Sequence, residues 1–172
     1  YLQQQRYHES NASVGETMPK RILLLASTTG YQTRMLYETS QRLGFETVLA
    51  TNRCFHLDDP WHDGAIAIRY EKPGTAASVL SLVEPKPDGV VAVGDRPAEV
   101  AALTAERLRL PFHPYDAVVA CRNKYLARER FREAGLLVPD YYRVPLTYDV
   151  AEAARSAQYP CVLKPLGLSA SR

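Results

Sequence analysis

The residues best suited to chemistry stand near the end of the chain, at positions 159–172. An apolar run leads to Lys164 and then into a loop of small residues. That loop contains Gly167, Ser169, Ala170, Ser171 and Arg172. A lysine beside a loop with exposed backbone N–H groups can bind phosphate oxygens. Taken alone, however, a lysine at the end of an apolar run is more often a strand-end residue that extends its charge into water.

A second lysine, Lys124, stands at the predicted beginning of a helix, directly after Asn123. Asparagine is a favourable N-cap residue, which places Lys124 in the first turn. There the helix dipole disfavours a cation by roughly 0.3–1 kcal/mol, and a bound anion would reverse that penalty. An exposed lysine that the helix tolerates is the alternative interpretation, and the dipole argument leaves both open.

The elements that must position these lysines begin at Arg21, from which apolar runs alternate with helical patterns. The predicted strands are 22–26, 46–50, 65–70 and 89–93, and the predicted helices are 31–43, 75–83 and 97–108. Parallel strands need crossover connections, and these are nearly always right-handed. The alternation therefore predicts an α/β domain, a Rossmann-like parallel sheet with helices on both faces.

Two helices are predicted to have an apolar face. On the first helix this face comprises Met35, Leu36 and Leu43, with Tyr31 and Tyr37. On the helix that Lys124 opens it comprises Ala127, Phe131 and Ala134, which we expect to face a core.

Ligands of such sheets bind beyond the carboxyl ends of the strands, which makes two loops candidates for substrate binding. The first contains Thr29 and Gly30, and the second contains Gly94 and Asp95. The first loop has a single glycine and no G-x-G-x-x-G motif, and no acidic residue follows the second strand. Both absences argue against a dinucleotide. Asp95 either holds a substrate amine or caps the following helix.

The chain is expected to have three parts. Residues 1–17 form an upstream extension with no role in the fold, 18–115 form the Rossmann-like domain, and 116–172 begin a second domain. The last part has predicted helices at 115–120, 122–134 and 150–157, a strand at 141–144 and the strand that ends at Lys164. These elements are too few to enclose a core of their own.

The last part of the chain, residues 116–172, resembles the beginning of the ATP-grasp fold. The resemblance is carried by R-N-K-Y-L-A-R-E-R-F-R-E-A-G-L-L-V-P and Y-P-C-V-L-K-P-L-G-L-S-A-S-R, and the unit before them is similar to the N-terminal domain of that family. The resemblance implies that Lys124 and Lys164 contact ATP phosphates, and that residues 167–172 are the first part of a loop that closes over these phosphates. The implied ATP-binding residues of this loop are Gly167, Ser169, Ser171 and Arg172. Strand alternation puts Val162 on the same side as Lys164, as a residue that lines the nucleotide pocket.

The L-x-x-S-x-S-R ending is most similar to carboxylate–amine ligases of the dipeptide and carnosine synthase type. That resemblance implies that MgATP activates a small-molecule carboxylate as an acyl phosphate and that a small-molecule amine then displaces phosphate. The adenine-binding and Mg²⁺-binding groups lie downstream in such relatives. We therefore expect the chain to be a C-terminally truncated fragment, inactive by itself, and assign no catalytic residue or metal ligand within it.

Composition limits the remaining classes. With 46% apolar and 23% charged residues the chain is typical of a globular protein, and a net charge of +2 does not predict nucleic-acid binding. No apolar run has the length of a membrane span. Three separated cysteines and the lack of a signal-peptide pattern predict reduced thiols in a cytoplasmic protein. A homodimer is a further expectation. The alternatives to a ligase are a non-catalytic nucleotide-binding or regulatory module and a Rossmann-type oxidoreductase.

Overall fold

The structure, a computed structural model, describes residues 18–27, 31–52 and 65–167, without the side chain of Tyr31. The predicted extension at 1–17 lies outside the described residues. The elements, in chain order, are β1 (Arg21–Ala26), α1 (Tyr31–Arg42), β2 (Glu46–Thr51), β3 (Ala65–Ala67), α2 (Pro73–Ser81), β4 (Gly89–Val93), α3 (Asp95–Leu108), α4 (Tyr115–Arg122), α5 (Lys124–Glu133) and α6 (Val150–Ser156).

The four strands form one parallel sheet with the order β3-β2-β1-β4. The apolar runs of β1 and β4 lie at its centre, as expected of strands that are covered on both faces. Ala26 pairs with Val93, so β1 and β4 end side by side and the loops that follow them begin at the same edge. This arrangement confirms the predicted α/β parallel sheet.

One face of the sheet carries the larger core. Leu23 and Leu25 of β1 point to this face and are fully buried, together with Leu80 of α2 and Val100 of α3. Small buried side chains allow the two helices to pack closely; they are Ala76, Ala77, Ala101 and Ala105. The core extends past the end of β3, because Ile68 and Tyr70 are also buried in it. β3 itself is shorter than predicted and ends at Ala67.

The opposite face carries a smaller cluster of Leu24, Ala26 and Leu49, against which Tyr37 of α1 packs. The predicted apolar face of α1 is confirmed at Tyr37 and wrong at its other described positions. Met35 is 57% exposed, Leu36 36% and Leu43 66%, whereas Thr33 and Ser40 are buried. The spacing of Thr33, Tyr37 and Ser40 is that of one helical stripe.

The burial of this polar stripe is permitted by hydrogen bonds. The Ser40 hydroxyl donates to the Tyr37 carbonyl oxygen at 2.8 Å and also shares a hydrogen bond with the Thr47 hydroxyl on β2. A buried hydroxyl with partners costs little, so the helix does not need to turn its leucines toward the sheet.

The last part of the chain, which begins at residue 116, differs from the prediction in its described residues. The segments 141–144 and 159–164 form no strand in the described part of the chain, because a strand requires a hydrogen-bonded neighbour and neither segment has one there. None of the residues of α5 is buried: Phe131 is 48% exposed and Ala127 is half-buried. Ala134, the residue directly after the helix, is exposed. The predicted core-facing side of α5 is therefore wrong for the residues that the structure describes.

Candidate functional site

The beginning of α5 is built as the sequence predicts. The Asn123 side-chain oxygen accepts hydrogen bonds from the backbone N–H groups of Tyr125 at 3.0 Å and Leu126 at 3.1 Å. These bonds satisfy two donors that a helix terminus otherwise leaves unpaired. The predicted N-cap is confirmed, and Lys124 is the first residue of the helix.

Lys124 holds the backbone that follows Lys164. Its N–H group donates to the carbonyl oxygen of Leu166 at 3.1 Å. Its Nζ donates to the carbonyl oxygen of Pro165 at 2.9 Å and lies 3.5 Å from that of Leu166. Gly167 is close as well, because a Cβ added there would lie 3.9 Å from the Arg122 carbonyl oxygen. The fold thus places Lys124 against the start of the small-residue loop.

The other residues assigned to ATP divide into two groups. Val162 is 76% exposed and Lys164 is also exposed, so neither side chain is enclosed by the described residues. Ser169, Ser171 and Arg172 lie outside the described residues. The site that the structure describes therefore consists of Lys124, Lys164 and the backbone between Lys164 and Gly167.

The second candidate loop lies where β4 joins α3. Gly94 has φ 95° and ψ 171° and is the N-cap of α3. L side chains rarely adopt this conformation, whereas glycine adopts it without steric cost. Asp95 occupies the first turn and is exposed, so the cap position that was one of its two predicted roles is held by Gly94. Thr29 and Gly30, of the first candidate loop, lie outside the described residues.

A charged cluster that the sequence did not reveal joins α3 to α4. The Glu99 carboxylate accepts a hydrogen bond from the Tyr115 hydroxyl at 3.1 Å and forms an ion pair with the Arg122 guanidinium. The side chain of Glu99 is 18% exposed and that of Arg122 is 31% exposed. The hydrogen bond to Glu99, followed by burial, raises the pKa of the Tyr115 hydroxyl. In the sequence this cluster is marked only by Glu99 next to Val100, an apolar residue that the structure buries. That pattern does not indicate which residue pairs with Glu99.

A second cluster fastens the segment after α5 to that helix. The rings of Tyr125 and Tyr141 meet edge to face, with centroids 5.6 Å apart. The Tyr141 hydroxyl donates to the Glu129 carboxylate at 2.5 Å, and the Arg143 guanidinium lies 4.2 Å from the centre of the Tyr125 ring. The Tyr141 hydrogen bond lowers the pKa of Glu129, and the same bond raises the pKa of Tyr141. These contacts hold the segment 141–143 in place, although no strand among the described residues pairs with it.

The described residues lack both metal-binding clusters and membrane-spanning helices. They contain no group of three or more His, Cys, Asp or Glu side chains that could hold a metal ion. None of the described helices combines the length and apolar character of a membrane span.

Comparison with solved structures identifies the fold. The structure of an L-amino acid ligase from Bacillus licheniformis matches 86% of this chain with a TM-score of 0.69 and 24% identity. A phosphoribosylglycinamide synthetase from Anaerococcus prevotii matches 83% with a TM-score of 0.62 and 19% identity. The ADP complex of PurK, an N5-carboxyaminoimidazole ribonucleotide synthetase, matches 91% with a TM-score of 0.66 and 17% identity.

The chain shares the fold of the ATP-grasp ligases. This confirms the fold predicted from the sequence resemblance. The chain spans 37%, 36% and 40% of the lengths of these three proteins, which is little more than a third. No protein-family model matches the chain, and no curated protein sequence matches it.

Proposed function

We propose that the chain forms part of an ATP-dependent carboxylate–amine ligase, in which Lys124 and Lys164 bind the nucleotide phosphates. The observation that carries this proposal is the contact of Lys124 with Pro165 and Leu166, directly after Lys164, in a fold shared with three ligases and synthetases. One of the three is an ADP complex.

The chemistry of phosphoryl transfer suits these residues. Negative charge develops on the transferred phosphoryl group, and fixed positive groups lower the barrier by stabilising that charge. Lys124 combines an ammonium group with the positive end of the α5 dipole. Lys164 supplies a second point charge, and lysine is a common phosphate ligand of this kind.

The loop after Lys164 supplies the remaining contacts in this proposal. Its small residues allow backbone N–H groups to approach phosphate oxygens closely. Gly167, Ser169 and Ser171 provide such groups, Arg172 adds a cation, and Val162 lines the nucleotide pocket. Mg²⁺ accompanies ATP in such reactions, but the described residues contain no cluster that fits it, so we assign no step to a metal.

The substrates bind at the carboxyl edge of the sheet in this proposal, near Thr29, Gly30, Gly94 and Asp95. The Asp95 carboxylate is exposed and is not the helix cap, so it can pair with a substrate amine. In the first step an oxygen of the substrate carboxylate attacks the γ-phosphorus of ATP, the bond from the γ-phosphorus to the β-phosphate oxygen breaks, and ADP leaves. The amine nitrogen then attacks the acyl carbon, phosphate leaves, and the amine loses a proton.

The test is a titration of ATP into the complete polypeptide that contains this chain, by calorimetry, for the wild type, Lys124→Ala and Lys164→Ala. We expect each substitution to weaken ATP binding by about tenfold or more, because each removes a charged phosphate contact of roughly 1.5–3 kcal/mol. Lys72→Ala is the matched control, since Lys72 is an exposed lysine at the beginning of α2, remote in sequence from the loop.

Two results would count against the proposal. Unchanged affinity in both lysine variants would overturn the phosphate assignment. ATP binding with no ADP release in the presence of a mixture of L-amino acids would favour the alternative of a regulatory nucleotide-binding module.

A further inference from the structure

Glu99 joins the two ends of α4 to α3. Tyr115 is the first residue of α4 and Arg122 is the last, and both bond to the same carboxylate. Their spacing places them on one face of the helix. A single side chain of α3 therefore binds both ends of α4.

The position of Glu99 links two parts of the candidate site. Asp95 and Glu99 are four residues apart in α3, so they lie on one face in consecutive turns, and a ligand on Asp95 would contact the helix beside Glu99. At the other end, Arg122 directly precedes Asn123, the residue that caps α5 and places Lys124. The Arg122 carbonyl oxygen also faces Gly167.

The Glu99–Arg122 pair differs from the exposed ion pairs of the chain. Arg96–Glu71 and Arg130–Glu133 are separated by 3.6 Å, with every side chain more than 60% exposed, so they constrain little. Glu99 and Arg122 are mostly covered, and the Nε of Arg122 is buried with no acceptor among the described residues. Loss of the carboxylate charge would leave the half-buried guanidinium without its counter-ion, so α4 would move to expose it.

We propose that Glu99 is a positioning residue that couples the loop at Gly94 and Asp95 to the phosphate-binding end of α5, through Tyr115 and Arg122. The inference rests on the proposed function, because it assumes that α5 binds nucleotide phosphates. Its consequence is that nucleotide bound at Lys124 orders the first turn of α3, and that a ligand on Asp95 strengthens nucleotide binding reciprocally.

Amide hydrogen exchange of the complete polypeptide tests this coupling, with a non-hydrolysable ATP analogue as the probe. In the wild type the analogue should slow exchange by about tenfold both at 94–100 and at 122–126. In Glu99→Gln, which keeps the shape but loses the charge, exchange at 122–126 should still slow while exchange at 94–100 should not. Glu133→Gln is the matched control, because it neutralises an exposed pair on α5 and should behave as the wild type.

The outcomes separate the two proposals. Slowed exchange at 94–100 in Glu99→Gln, equal to that in the wild type, would overturn the coupling role and leave the ligase proposal intact. No effect of the analogue at 122–126 in the wild type would overturn both. Should Glu99→Gln fail to fold, Tyr115→Phe removes a single hydrogen bond of the cluster and should reduce the effect at 94–100 by several-fold; an unreduced effect would likewise overturn the proposal.

Discussion

The backbone N–H of Lys124 donates to the carbonyl oxygen of Leu166 at 3.1 Å, which joins the first residue of α5 to the segment directly after Lys164. The first N–H groups of a helix have no partner within the helix. Here one of them binds the polypeptide that leads into the small-residue loop. The bond places Lys124 beside the backbone that directly follows Lys164, although the two lysines are distant in sequence. This proximity is the basis of the proposed phosphate site.

Asn123→Ala should lower the free energy of unfolding by about 1 kcal/mol, because two N–H groups of α5 lose their acceptor. It should also weaken ATP binding, since Lys124 follows directly. Asp149→Ala is the matched control: Asp149 caps α6 by accepting from the Glu152 N–H at 2.8 Å. Denaturant unfolding and ATP titration of both variants provide the measurement. Equal ATP affinities in the two variants would contradict a role for the α5 terminus in binding.

Gly94→Ala should destabilise the protein by about 1–3 kcal/mol, because φ 95° with ψ 171° is a conformation that is nearly confined to glycine. The added Cβ would meet no close neighbour, only Pro97 Cδ at 4.0 Å, so the cost comes from the backbone. Gly74→Ala in the first turn of α2 is the control, where a Cβ would meet nothing within 4 Å and stability should change by only about 0.5 kcal/mol or less. Thermal unfolding compares the two; a harmless Gly94→Ala would show that the loop can adopt another conformation.

The contact between Tyr141 and Glu129 should contribute to stability in a pH-dependent way. Its hydrogen bond lowers the pKa of Glu129 from 4.5, so the contribution is present above that ordinary value and is lost as pH falls through the lower pKa of the folded state. The pKa of Tyr141 is raised from 10.0, so the contribution is complete below pH 10.0 and is lost as pH rises through the folded-state value.

Tyr141→Phe tests this contribution, because it removes the hydroxyl and keeps the ring contact with Tyr125. The stability difference from the wild type should be constant near neutral pH and should shrink below pH 4.5. Urea denaturation between about pH 3 and pH 7, the range in which carboxylates titrate, measures this difference. The exposed Tyr142, as Tyr142→Phe, should show no such pH dependence; a difference that stays constant in acid would rule out Glu129 as the partner.

Two leucine substitutions should distinguish the buried core of the sheet from the exposed surface beside α1 by their effect on stability. Leu25→Ala removes a fully buried side chain and should cost about 2–5 kcal/mol. Leu43→Ala, at a position that is 66% exposed, should change stability by only about 0.5 kcal/mol or less. Chemical denaturation gives both values, and a large loss in Leu43→Ala would mean that Leu43 is covered in solution, for example in a dimer.

Much of the fold could be predicted because its signals are local. The apolar runs at 22–26 and 89–93 identified the central strands, and the alternation with helices identified a parallel sheet. The Asn123 cap was equally predictable, since an N-cap depends on the residue and its next neighbours. The position of Lys124 at the helix start follows from that cap.

Features that depend on distant partners could not be predicted. The buried face of α1 was decided by the Ser40 and Thr47 hydroxyls, which satisfy each other only after the helix has packed on β2. The segments 141–144 and 159–164 have strand-like sequences, but a strand requires a neighbour that the described residues do not provide.

The amino-acid sequence by itself determined the parallel α/β sheet, the cap of α5 and the residue types of a phosphate site, because periodicity and capping act over a few residues. Only the tertiary structure decided that Lys124 bonds to Pro165 and Leu166 and that Glu99 pairs with Arg122. Those contacts join residues that are 41, 42 and 23 positions apart. No local pattern specifies such pairs, since they form when separate elements pack together.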